Sequence, residues 1–203
     1  MCSGDSLEVR IASPEERVII ETMGQKLSTS WEEMSTTVLL LGPDAAGKTT
    51  LLSCLAPSLA LSYCPSCSAI ETLQWRNVHF VCWDSYVNAR LKTLFQPYCQ
   101  KAKAVIFMVD SNHRERMEET REILEWILEW EELMGAVLLV LGNKQDLAGA
   151  MDYSELQEQL ALRELRGRQW RLQLCSAISL DGVHEGFEWL FSVLARKLGV
   201  RLN

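Results

Sequence analysis

The segment Gly42-Pro43-Asp44-Ala45-Ala46-Gly47-Lys48-Thr49 satisfies the spacing G-x-x-x-x-G-K-[ST] in full. Chemistry of one kind follows from it. Gly42 and Gly47 let the backbone bend around a phosphate chain, and the amides from Ala45 and Ala46 onward, with the helix start behind them, aim positive charge at it. Lys48 has the reach for terminal phosphates, and the Thr49 hydroxyl is placed for Mg²⁺. Pro43 lacks an N–H but precedes the amides that make the cradle. Two later sites share this logic. The apolar run Val78–Trp83 ends in Asp84, an acid of the kind that holds Mg²⁺ beside a phosphate loop, often through water. Another run ends in Asn143-Lys144-Gln145-Asp146, where a carboxylate can accept from two adjacent donors, the ring N–H and exocyclic amine of guanine. Adenine lacks that pair, so a buried acid would be left unpaired at a cost of about 1–3 kcal/mol. After the last strand, Cys175-Ser176-Ala177 is either a further base contact through its amides or an ordinary strand end.

These sites need a frame. Apolar, strand-like runs occur at Thr37–Leu41, Val78–Trp83, Ala104–Val109, Val137–Leu141 and Trp170–Leu174, with an extended piece near Ile70–Trp75. Helical periods lie between or after them: Met117, Arg121, Leu124 and Leu128 fall on one line within 114–134, and apolar residues recur at Val183, Phe187, Leu190, Val193, Leu194 and Leu198. Strands apolar throughout and alternating with helices predict an α/β fold with a buried, mostly parallel sheet and helices on both faces. In such sheets ligands bind beyond the carboxyl ends of the strands, where all the motifs above lie. Residues 1–35 have another texture and form an N-terminal extension, with Ser13-Pro14-Glu15-Glu16 as a helix start and Gly24 as its stop. The main domain is expected over 36–199, followed by a tail over 200–203.

Composition narrows the function classes. The chain has 203 residues, 48% hydrophobic and 23% charged, as expected of one globular domain plus a short extension. Its apolar runs, such as Ala136 to Leu141, fall far short of the roughly 20 residues a membrane span requires. No secretory signal is visible at MCSGDSLEVR. The 27 acidic against 20 basic residues leave a net charge of −7, which disfavours nucleic acid as a partner. Seven cysteines, an odd number in a chain without an export signal, read as reduced thiols and a cytoplasmic location. Cys64-x-x-Cys67 has metal or redox spacing but lacks two further ligands nearby, so loop thiols are expected. Trp126 and Trp130, four apart, read as a half-buried core face, with a partner surface as the alternative. His79, His113 and His184 show no ligand spacing and are not expected to be catalytic.

Taken in order, these motifs resemble the Ras superfamily of small GTPases with a P-loop, and the Arf/Arl (ADP-ribosylation-factor-like) branch most closely. The likeness rests on Gly42 to Thr50, on Val109-Asp110-Ser111-Asn112-His113-Arg114-Glu115-Arg116, on Asn143 to Leu147 and on Trp83-Asp84, and covers about residues 36–199. The resemblance implies a six-stranded sheet, GTP/GDP with Mg²⁺, and a switch acting on effector and exchange or activating proteins in membrane traffic, with peripheral membrane association. It places Ala45 to Thr50, Thr50 included, on the phosphates, Asn143, Lys144 and Asp146 on the guanine, and Ser176 and Ala177 at the last base contact. The family's first switch carries a Pro-Thr pair; Pro65-Ser66 aligns with it once a one-residue deletion is allowed, making Ser66 the candidate hydroxyl for Mg²⁺ beside Thr49 and Asp84.

The second switch departs from the family. Where Asp-x-Gly-Gly-Gln is usual, the chain reads Asp84-Ser85-Tyr86-Val87-Asn88. Val87 replaces a glycine whose amide meets the third phosphate, and few of glycine's conformations are open to a β-branched residue. Asn88 stands where a glutamine positions attacking water, one methylene shorter, a change expected to cost on the order of 10² in hydrolysis rate. Slow or assisted GTP hydrolysis is therefore expected. The alternative is a nucleotide-independent pseudo-GTPase interaction module; an ATP-dependent kinase is disfavoured by Asp146. Arf-like chains usually begin Met-Gly, with the glycine myristoylated. This one begins Met1-Cys2, yet Met23-Gly24-Gln25-Lys26-Leu27-Ser28 fits M-G-x-x-x-[ST]: either initiation at Met23 would give a lipidated form that residues 1–22 block, or the match is accidental and Gly24 only ends a helix.

Overall fold

The computed structural model describes residues 36–55, 62–64, 67–75, 78–83 and 96–199. The expected N-terminal helix, the Met23-Gly24 motif, Ser66 and the second-switch residues Asp84, Val87 and Asn88 lie outside the described residues.

The strands are β1 (Thr36–Leu41), β2 (Ser62–Cys64), β3 (Cys67–Trp75), β4 (Val78–Trp83), β5 (Ala102–Asp110), β6 (Val137–Asn143) and β7 (Trp170–Leu174). They form one sheet in the order β2-β3-β4-β1-β5-β6-β7. β4, β1, β5, β6 and β7 run parallel, as their apolar runs predict, while β3 is antiparallel to β4 and to β2. Among the described residues the sheet has seven strands, one more than expected. The extra one, β2, spans three residues, too few to show an alternation of its own. Its pairing with β3 sets Cys64 opposite Cys67, past a register shift after Tyr63.

Helices follow the loops among the described residues, including α1 (Lys48–Leu55), α2 (Met117–Leu128), α3 (Tyr153–Gln159) and α4 (Val183–Leu198). They divide between the faces. Leu51, Leu52 and Leu55 of α1 and Phe187, Leu190, Phe191 and Leu194 of α4 pack with Val38, Leu40, Ile106 and Leu139. Met117, Leu124 and Ile127 of α2 and Leu156 of α3 pack on the other face with Leu39, Val105, Phe107 and Leu138. The side chains of β1, β5 and β6 are therefore buried on both faces, which makes these strands the rigid floor for the loops at their carboxyl ends.

Two expectations are corrected in detail. The helical region after Arg114 is not one helix to Met134: 3₁₀ turns at Arg114–Arg116 and Glu131–Leu133 flank α2. Its inward line is Met117, Thr120, Leu124 and Ile127, with Arg121 turned outward to pair with Glu125 at 2.8 Å. Thr120 can face inward because its hydroxyl donates to the Arg116 carbonyl at 2.7 Å, one turn back. Trp130 lies beyond the helix end and is buried, with its ring edge-on to half-buried Trp126 at 4.7 Å. This pair belongs to the core, in line with the first reading of the two tryptophans.

Candidate functional site

β1 delivers the chain into the loop 42–47, and three of its residues have positive φ: Gly42 at 141°, Ala45 at 56° and Gly47 at 99°. Two positions can only be glycine. A Cβ on Gly42 would stand 2.2 Å from the Met108 carbonyl oxygen, and one on Gly47 would stand 2.4 Å from Asn143 Nδ2. A loop pressed this closely to its neighbours presents backbone rather than side chains at its concave side, as an anion cradle requires. Lys48 opens α1 and is 2% exposed. Its ammonium curls back to donate to the carbonyls of Gly42 (3.1 Å) and Pro43 (2.7 Å). The charge is thus held at the mouth of the loop. Thr49 is half-buried and Thr50 exposed on the first turn of the same helix.

β6 runs two residues further than its apolar run and ends on Asn143, which is 3% exposed. Asn143 Nδ2 donates to the Ala46 carbonyl at 2.7 Å, and Asn143 Oδ1 accepts from the Ala177 amide at 2.8 Å. One buried amide therefore ties the phosphate loop, the end of β6 and the loop after β7 together. Lys144 has φ of 67° and forms an ion pair with Asp110 at 2.7 Å. Asp146 is exposed, and its Oδ1 accepts from the Ser176 hydroxyl at 2.6 Å. Gln145, Asp146, Ser176, Ser179 and Asp181 line a cleft of about 220 Å³ at this end of the sheet. Of the nitrogens that were candidates for a base oxygen, the Cys175 amide donates to Gly142, Ser176 to Asp181 and Ala177 to Asn143. Burial pushes the Cys175 thiol up to about 12, which keeps it protonated beside the cleft.

The structure thus brings Gly42, Asp44, Ala45, Ala46, Gly47, Lys48 and Thr49 to the same end of the sheet as Asn143, Lys144, Asp146, Ser176 and Ala177. It also supplies what the motifs did not reveal. The segment Asp110–Arg116, read only as a family marker, braces the whole site. Asp110 holds Lys144. The Ser111 amide donates to the Asn143 carbonyl (3.0 Å), and its own carbonyl accepts from the Met151 amide (2.8 Å). Arg114 donates to the Gly149 carbonyl at 2.6 Å and pairs with Glu155. Arg116 pairs with Asp44 of the phosphate loop at 2.7 Å and with Glu119 at 2.8 Å. The sequence signal for this role was the density of Asp, Ser and Arg directly after an apolar strand.

Comparison with known families agrees with this geometry. The model of the ADP-ribosylation factor family matches residues 20–194. The chain belongs to the ADP-ribosylation factor family. Membership accounts for the P-loop at Gly42–Thr49 and the mostly parallel sheet, and it supports a GTP-binding regulatory switch. In this Arf-family chain, no helix among the described residues is long and apolar enough to cross a membrane.

Proposed function

We propose that this chain is a guanine-nucleotide switch of the Arf-like type that holds GTP or GDP with Mg²⁺ and hydrolyses GTP slowly or only with assistance. The observation that carries the reading is the buried Asn143 amide, which bonds to the phosphate loop on one side and to the loop bearing Ser176 and Ala177 on the other. A side chain so placed makes phosphate binding and base binding one structural event.

In this reading Lys48 and the amides of 45–50 hold the phosphates, and Asp146, oriented by Ser176, reads the guanine edge. Thr49 with Asp84 and Ser66 would hold Mg²⁺, an all-oxygen donor set of the kind that hard cation takes. When bound, the ion neutralises charge on the terminal phosphates. Val87 and Asn88 stand where a glycine and a glutamine would speed hydrolysis, and a partner protein would supply what they lack. The chain would act in the cytoplasm with reversible membrane association in membrane traffic, passing between exchange factors, effectors and activators.

The test is direct. The protein is purified in Mg²⁺, denatured, and the released nucleotide identified by chromatography. Stoichiometric guanine nucleotide with GTP in excess of GDP is the expected result. No nucleotide, with none taken up on adding GTP, would overturn the reading in favour of a nucleotide-independent interaction module. In that event Lys48→Ala would leave partner binding intact, whereas the proposed switch loses it.

A further inference from the structure

Asp44 is an odd residue for a loop built to hold a polyanion. It sits between Pro43 and the amides of Ala45 and Ala46, its side chain is 60% exposed, and its charge has the same sign as the ligand the cradle suits. The structure answers it with one cation. Arg116 Nη2 lies 2.7 Å from Asp44 Oδ1, and the same guanidinium is gripped by Glu119 through Nε at 2.8 Å and Nη2 at 3.2 Å. The arginine is anchored from behind as well, since its carbonyl accepts from the buried Thr120 hydroxyl. Arg116 is 25% exposed and Asp44 60%, so solvent screens the pair in part. The Arg116 guanidinium holds the Asp44 carboxyl below its usual range, and the Lys48 charge acts on it in the same direction. Asp44 and the phosphate-binding lysine therefore lie in each other's field.

Pairs exposed to this degree add little to folding, although this one joins the phosphate loop to the turn that leads into α2. Its consequence lies in the field at the mouth of the loop. Arg116 shares its charge between Asp44 and Glu119, so the cluster carries one net negative charge with the arginine in place and two without it, at the mouth of a loop suited to an anion.

Resting on the guanine-nucleotide reading above, we infer that Arg116 is a positioning and charge-screening residue that sets the preference of the site for the triphosphate over the diphosphate by screening Asp44. A third phosphate brings added negative charge to the loop, so an unscreened Asp44 weakens GTP more than GDP. For unit charges several ångströms apart in a half-solvated medium, the difference is on the order of tenfold in the ratio of dissociation constants.

The experiment measures dissociation constants for fluorescent N-methylanthraniloyl GTP and GDP on the full chain and on Arg116→Ala, Arg116→Lys, Asp44→Asn and the Asp44→Asn/Arg116→Ala double variant. Arg116→Ala is expected to lower the preference for GTP about tenfold. Arg116→Lys, which keeps the charge, is expected to stay within about twofold of the parent, and the double variant to recover the parent ratio. A strut with no electrostatic role would weaken both nucleotides equally and would not be rescued by Asp44→Asn; that result overturns the inference and leaves the switch standing. Should Arg116→Ala fail to fold, the comparison moves to Asp44→Asn with and without Arg116→Lys. There the arginine-to-lysine change must leave the ratio unaltered, and a shift of severalfold overturns the inference. A parent protein that binds neither nucleotide overturns the guanine reading and this inference with it.

Discussion

Replacing Asn143 by alanine removes a side chain that is 3% exposed and holds two loops to one strand. The Ala46 carbonyl loses a donor at 2.7 Å and the Ala177 amide loses an acceptor at 2.8 Å, both within residues that are at most 2% exposed. Each buried group left unpaired costs about 1–3 kcal/mol, so Asn143→Ala should destabilise the nucleotide-free protein by about 2–6 kcal/mol. That is a large share of the roughly 5–15 kcal/mol available to a domain. At about 2–4 °C per kcal/mol for a chain of this size, the midpoint of thermal unfolding should fall by about 4–24 °C. Asn143→Asp should do no better, because it keeps the acceptor for Ala177 but presents a lone pair to the Ala46 carbonyl. The assay is urea unfolding followed by circular dichroism, with nucleotide stripped by chelation. Asp146→Ala is the control: its carboxylate is exposed and leaves only the Ser176 hydroxyl without its acceptor, a loss of about 1 kcal/mol. A change below about 1 kcal/mol for Asn143→Ala would show that the two loops are not held by this residue, and the coupling argued from it would fall.

Three other outcomes are expected. Asp146→Ala should retain the fold but lose its preference for GTP over ATP in competition binding; unchanged selectivity would remove Asp146 from the base site. Gly47→Ala should destabilise the chain and weaken nucleotide binding together, because the new methyl would meet Asn143 Nδ2 at 2.4 Å in a backbone at φ 99°; a neutral result in thermal unfolding would contradict that packing. The Cys175 thiol should resist iodoacetamide at pH 8 in the native protein and react once unfolded, read by peptide mass spectrometry. Since its folded value is raised from 9.0 to about 12, its contribution to stability is complete below pH 9 and is lost as pH rises from 9 toward 12, as the unfolded chain ionises first. Equal labelling of native and unfolded protein would place the thiol at the surface.

The sequence carried the parallel core well because its strands are buried on both faces and therefore read as unbroken apolar runs. It carried the phosphate loop because glycine at 42 and 47 and lysine at 48 answer to local backbone needs. Where tertiary context decides, sequence reading slipped. The inward line of α2 was placed on Arg121 and Leu128, whereas Thr120 and Ile127 occupy it: threonine satisfies its own hydroxyl on the preceding turn, which no hydropathy pattern records. The helix α3 went unread although Asp152 and Glu155 form a reciprocal capping box at its start, a signal legible in the sequence. β2 is three residues long and exists only as a partner to β3.

The least legible feature was the pairing of Asp44 with Arg116, 72 residues apart, and it changes how the site should be understood. Read separately, the phosphate loop and the Asn143–Asp146 loop are two binding devices on one sheet edge. In the structure neither stands alone. Asn143 reaches from the second to the carbonyl of Ala46 in the first, and the segment 110–116 grips both from the adjoining strand, through Asp110 on Lys144 and Arg116 on Asp44. β5 lies between β1 and β6, so the segment leaving its end is placed to contact both loops at once. A displacement of the phosphate loop must therefore strain the base loop, and the reverse. Variants on segment 110–116 should accordingly alter phosphate and base recognition together, while variants at Asp146 alter base recognition alone. That separation is a property of strand order, and it holds whatever rate of hydrolysis the second switch allows.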